Sequence, residues 1–124
     1  SEARRFVDET EVDALAVSIG TAHGIYRQLP KLNIARLQEI RAATDVPLVL
    51  HGGSGIADED IVAAVRAGIA LVHVNTELRL AYRKALVRSL EESPDEIAPY
   101  KYLKPAQEAV EKIVGGRLRL FNNM

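Results

Sequence analysis

The feature that most constrains this chain is a unit repeated three times: a short apolar strand, a short glycine-rich or polar turn, and an amphipathic helix. The first unit reads as a strand over 13–19, the turn Gly20-Thr21-Ala22-His23-Gly24, and a helix starting near Asn33 with Ile34, Leu37 and Ile40 on one face. The second reads as a strand over 47–50, the turn His51-Gly52-Gly53-Ser54-Gly55, and a helix over 58–67. Asp58, Glu59 and Asp60 suit that helix's positive end, and Gly68 suits the position just past its C-terminus. The third reads as a strand over 69–74, the turn Asn75-Thr76, and a helix running to Glu92.

Strands this apolar, alternating with helices, predict an α/β fold: a parallel sheet covered by helices on at least one face. Three strands leave two unpaired edges, so the architecture reads as incomplete. The opening supports that, because Ser1 is not an initiator methionine and Ala3, Phe6 and Val7 have helical spacing just ahead of the apolar run 12–19. The expectation is a chain that starts partway through a larger fold. After the third unit, Pro94, Pro99 and Pro105 predict turns before a last helix, where Ala106, Ala109, Val110, Ile113 and Val114 keep a helical rhythm.

Composition excludes several classes of function. With 48% apolar and 27% charged residues the chain is globular rather than disordered, and its apolar runs are too short to cross a bilayer. A net charge of −1 gives no general attraction to nucleic acid or anionic lipid, so neither is expected as a partner. The basic residues that do cluster, Arg79, Arg83, Lys84 and Arg88, read as a solvated or subunit-facing helix surface rather than a second phosphate contact. No cysteine is present, so disulfides and thiolate metal sites are impossible, and a cytoplasmic location is expected.

In parallel α/β folds, chemistry gathers at the C-terminal ends of the strands. All three histidines, His23, His51 and His73, fall there. Groups contributed one per strand to a common mouth show such long separations, and a neutral imidazole suits Zn2+. The structural alternative is a histidine that merely satisfies hydrogen bonds at a strand end. The turn Gly52-Gly53-Ser54-Gly55 has amides unobstructed by side chains and can wrap an anion with help from the serine hydroxyl and the following helix. Asn75 and Thr76 occupy the corresponding turn of the next unit. A hydrolase reading of Ser18 and the His51-Gly52-Gly53 turn fails on order, because the glycine turn follows the candidate nucleophile instead of preceding it.

Three segments together resemble the C-terminal half of class II fructose-bisphosphate aldolases: Val12 to Val17 leading into Gly20-Thr21-Ala22-His23-Gly24; Pro47-Leu48-Val49-Leu50-His51-Gly52-Gly53-Ser54-Gly55; and Val74-Asn75-Thr76-Glu77. They occur in the family's order and spacing, and the resemblance covers essentially all of residues 1–124. It implies a TIM (β/α)8 barrel, of which this chain would hold about three βα units plus terminal helices, as a single incomplete domain. It also implies reversible cleavage of a ketose 1,6-bisphosphate to dihydroxyacetone phosphate and glyceraldehyde 3-phosphate, with Zn2+ as cofactor. His23 and His51 match two of the family's three zinc ligands. Gly24, Gly52, Gly53, Ser54, His73, Val74, Asn75 and Thr76 match positions that bind the phosphorylated sugar.

Two departures stand out. The family's Lys-x-Asn in the last strand is Leu71-Val72-His73 here. His73 either takes over the asparagine's role, approaches the metal, or packs as a buried histidine. The family's third zinc histidine and catalytic aspartate have no counterpart, and Asp13, Asp45, Asp58 and Asp60 do not match that aspartate. No catalytic residue is therefore assigned, and the isolated chain is expected to lack turnover unless His73 or a partner chain, in a homo-oligomer or as a complementary N-terminal half, completes the metal site. Two other readings remain: a non-catalytic phosphate-binding half-barrel that self-associates, and a metal-independent isomerase or synthase.

Overall fold

The computed structural model describes residues 1–21 and 31–122. The chain divides into two compact units, Ser1–Val74 and Asn75–Met124. The first contains α1 (Glu2–Thr10), β1 (Leu15–Ala16), α2 (Ile34–Ala43), β2 (Leu48–Leu50), α3 (Asp58–Arg66) and β3 (Ile69–Val72). The second is helical: α4 (Thr76–Glu92), α5 (Pro99–Tyr102) and α6 (Lys104–Asn122).

The strands form a parallel sheet in the order β1-β2-β3, as the alternating pattern predicts. Leu48 and Leu50 are fully buried and Val49 nearly so, as befits a central strand covered on both faces. Burying each such leucine is worth about 1.5–3 kcal/mol. Leu37, Ile40, Ile61 and Ala64 project from α2 and α3 into the same core. The strands are shorter than the sequence suggests. β1 is assigned only at Leu15–Ala16, although Val17 still donates its amide to Val49 O at 3.2 Å.

One irregularity decides the register. Leu48 pairs with Ile69, but Val49 pairs with Leu71, so Ala70 is an extra residue on β3. The bulge moves Leu71 to the face opposite Ile69, and Ile69 is buried while Leu71 is 49% exposed. Ala16, Val49 and Leu71 therefore share one row across the sheet.

The helix ends follow local chemistry. Asn33 caps α2 by accepting the Arg36 amide at 2.9 Å. Ser1 caps α1 in the same way, and Glu11 ends it in the left-handed conformation. No α1 residue is buried and Phe6 is half-exposed, so the apolar spacing of Ala3, Phe6 and Val7 does not build core here. After α3, Gly68 adopts φ +110° just past the end, as expected. Arg41 ties down the turn before β2 by donating to the carbonyls of Thr44 and Val46, both at 3.1 Å.

In the second unit α4 and α6 pack together, fastened by a two-pronged ion pair. Arg117 donates from Nε to Glu77 Oε1 at 2.8 Å and from Nη2 to Glu77 Oε2 at 2.9 Å. The pair joins the start of α4 to the end of α6, so the two helices run antiparallel. Two prolines do not act as turn-formers before the last helix. Pro99 begins α5, and Pro105 sits in the first turn of α6, where a missing N–H costs nothing. Among the described residues no helix is long and apolar enough to cross a membrane.

Candidate functional site

The C-terminal end of the central strand carries the best-defined group of candidate residues. His51 follows the buried Leu50 directly and is partly exposed, and the turn from Gly52 to Gly55 leads to α3. Gly52 and Gly55 adopt φ values of +70° and +79°, a left-handed conformation that favours glycine. Ser54 is buried, at 7% exposure.

Gly53 is held tightly against the neighbouring strand. Its amide donates to His73 O at 3.0 Å, so it is engaged within the sheet rather than offered to an anion. A Cβ at this position would lie 2.8 Å from Val72 Cγ1 and 2.9 Å from His73 O. Glycine is needed here for close approach of β3. In the first turn of α3, Asp58, Glu59 and Asp60 offset the partial positive charge of the helix end.

His73 lies one residue past the assigned end of β3, yet pairing continues through it, with its amide donating to Leu50 O at 2.9 Å. One step beyond the pair Leu50 and Val72, His51 and His73 come side by side. Their ring centroids are 4.4 Å apart with the planes at 78°, an edge-to-face contact. His73 is exposed in this chain. The pairing was not readable from sequence, since it depends on the bulge at Ala70.

Other expected site residues are distributed less compactly. Val74 closes the first unit, and its Cγ2 lies 3.3 Å from where a Gly53 Cβ would be. Asn75 and Thr76 open the second unit. Thr76 is not part of a turn but the first residue of α4, and Asn75 precedes it without a side-chain cap. Arg79, Arg83, Lys84 and Arg88 are exposed on α4. His23 and Gly24 lie outside the described residues.

The donor set can be compared with what a divalent metal requires. Imidazole nitrogen suits Zn2+, and structural or catalytic zinc takes at least three protein ligands. Among the described residues no group of three or more His, Asp or Glu converges on one point. His51 offers one imidazole of the kind a histidine-built zinc site uses, and the His73 ring lies against it.

Comparison with known proteins places the chain. The family model for class II fructose-bisphosphate aldolase matches residues 1–124. Among solved structures, the YdjI aldolase of Escherichia coli K12 is similar at 36% identity and a TM-score of 0.76, over 97% of this chain and 43% of its own. A Coccidioides immitis protein assigned as a fructose-1,6-bisphosphate aldolase is 30% identical, with a TM-score of 0.72, over 92% of this chain and 40% of its own. Fructose-bisphosphate aldolase from Campylobacter jejuni shares the fold at 19% identity and a TM-score of 0.75, over 98% of this chain and 44% of its own. The chain thus spans under half the length of each of these relatives. With its parallel sheet, its histidine and glycine turn at the strand end and a family match along its whole length, the chain belongs to the class II fructose-bisphosphate aldolases.

Proposed function

We propose that this chain carries part of the metal and phosphate site of an aldolase that reversibly cleaves a ketose 1,6-bisphosphate, such as fructose 1,6-bisphosphate, to dihydroxyacetone phosphate and glyceraldehyde 3-phosphate. The observation that carries the reading is the position of His51 at the end of the central strand, immediately before the glycine turn, in a chain of this family. In this reading the sheet is an arc of a (β/α)8 barrel, and the row Ala16, Val49 and Leu71 faces the barrel interior.

His51, with His23, would hold the Zn2+. When bound, that ion supplies Lewis-acid stabilisation of charge on the sugar's ketone oxygen. The rest falls to the chain's own groups. The Gly52 amide and the Ser54 hydroxyl bind and orient a phosphate ester, and that fixed register lowers the entropic part of the barrier. His51 is held in place by strand pairing on both sides of β2 and by the buried Leu50.

Calorimetry with the full chain tests the proposal. Dihydroxyacetone phosphate should bind only with Zn2+ present, and binding should vanish with EDTA or with His51→Ala. Equal affinity with and without zinc would overturn the reading and favour a metal-independent phosphate enzyme. A second reading, a non-catalytic half that self-associates, draws support from the exposed apolar surface of Leu71 (49%) and Phe6 (50%). Sedimentation decides it: a stable dimer that binds phosphate esters without cleaving fructose 1,6-bisphosphate supports this second reading, and a monomer excludes it.

A further inference from the structure

We infer that His73 is a positioning residue for His51: its ring, packed edge to face, fixes the plane in which the His51 imidazole presents its metal-binding nitrogen. The inference rests on the reading of His51 as a zinc ligand. It adds a role for a residue that stands where the family usually has asparagine.

The backbone brings the two residues side by side. His73 donates its amide to Leu50 O at 2.9 Å and accepts the Gly53 amide on its own carbonyl at 3.0 Å. The two partners, residues 50 and 53, flank His51 in the chain, so His73 is held beside it at both of its main-chain polar groups. The missing Cβ at Gly53 is what lets the strands approach this closely.

The ring geometry then does the rest. With centroids 4.4 Å apart and planes at 78°, the His73 ring occupies space beside the His51 ring and so limits the orientations that ring can take. A metal-bound imidazole needs such a constraint, commonly supplied by a carboxylate that accepts its second N–H.

Zinc titration of the full chain, with Co2+ absorption as a second readout, separates the outcomes. His73→Ala should weaken zinc binding by about 10–100-fold, the usual effect of removing a group that orients a ligand, and should shift the Co2+ visible bands. His73→Phe keeps a ring of similar thickness but no nitrogen, and should restore affinity to within a few-fold of the parent. If Phe is as weak as Ala, the His73 nitrogen is what matters and the inference is overturned. If Ala binds zinc as tightly as the parent, the contact is idle and the inference also falls. His51→Ala is the control on the underlying reading: unchanged zinc affinity there sinks the zinc assignment itself, a result distinct from any His73 outcome.

Discussion

Gly53 donates its backbone amide to the carbonyl of His73 at 3.0 Å, and this one bond joins the glycine turn to the end of β3. Alanine at position 53 would place its Cβ 2.8 Å from Val72 Cγ1 and 2.9 Å from His73 O. The second neighbour is backbone and cannot rotate away. Gly53→Ala should therefore destabilise the first unit by about 1–3 kcal/mol, the usual range for overpacking. Urea denaturation gives the stability change. The Gly53 amide should also lose protection from hydrogen exchange, and retained protection would contradict the account.

Ser54 is the candidate phosphate donor whose role can be separated from strand packing. A hydrogen bond to a charged oxygen is worth about 1.5–3 kcal/mol, so Ser54→Ala should weaken dihydroxyacetone phosphate binding by about 10–100-fold. Zinc affinity should stay constant in the same variant. A parallel loss of zinc would show that Ser54 acts through the fold around His51.

Glu77 and Arg117 form a forked ion pair whose side chains are only 20% and 17% exposed. A planar guanidinium matches a carboxylate in a way that lysine cannot. We expect Arg117→Lys to destabilise the helical unit nearly as much as Arg117→Ala, by about 1–2 kcal/mol after allowing for partial solvation. A double-mutant cycle with Glu77→Gln measures the coupling, and a value near zero would remove the pair from the account of how α4 and α6 are joined.

Glu96 gives the second unit a local pH dependence. Its hydrogen bond and ion pair with Lys101 Nζ at 2.9 Å, together with the Ala98 amide at 3.0 Å, hold its carboxyl below the usual range. A depressed folded-state pKa stabilises the contact above the unfolded carboxyl value of about 4.3, and the gain is lost as pH falls through the folded value. The Ala98 amide shift should titrate below that value by NMR, and Glu96→Gln should abolish the titration.

Leu71 is half-exposed on the sheet face opposite Ile69. A surface substitution there should change stability by less than about 0.5 kcal/mol, so Leu71→Lys should be tolerated. If the chain self-associates through this face, the same variant should dissociate the dimer in sedimentation without unfolding the protomer.

The α/β class and parallel sheet were legible because buried strands read as apolar runs and helices as a separate periodicity, and Asn33 and Gly68 mark boundaries through local backbone chemistry. The family was legible in the motifs around His51 and Asn75, since those are short and contiguous. The strand-end details were not. Thr76 reads as turn and is helix, Pro105 reads as a breaker and lies in a first turn where it is harmless, and the Gly53 amide reads as open and is bonded to His73 O. Each of these depends on where a neighbouring segment lies.

By itself, then, the sequence determined the α/β class, the parallel sheet and the family, because hydrophobic period and short motifs act within a few residues. Only the tertiary structure decided that His51 meets His73. That contact follows from an extra residue at Ala70 and a register between strands, and register is fixed by packing across the sheet rather than by any local preference of the chain.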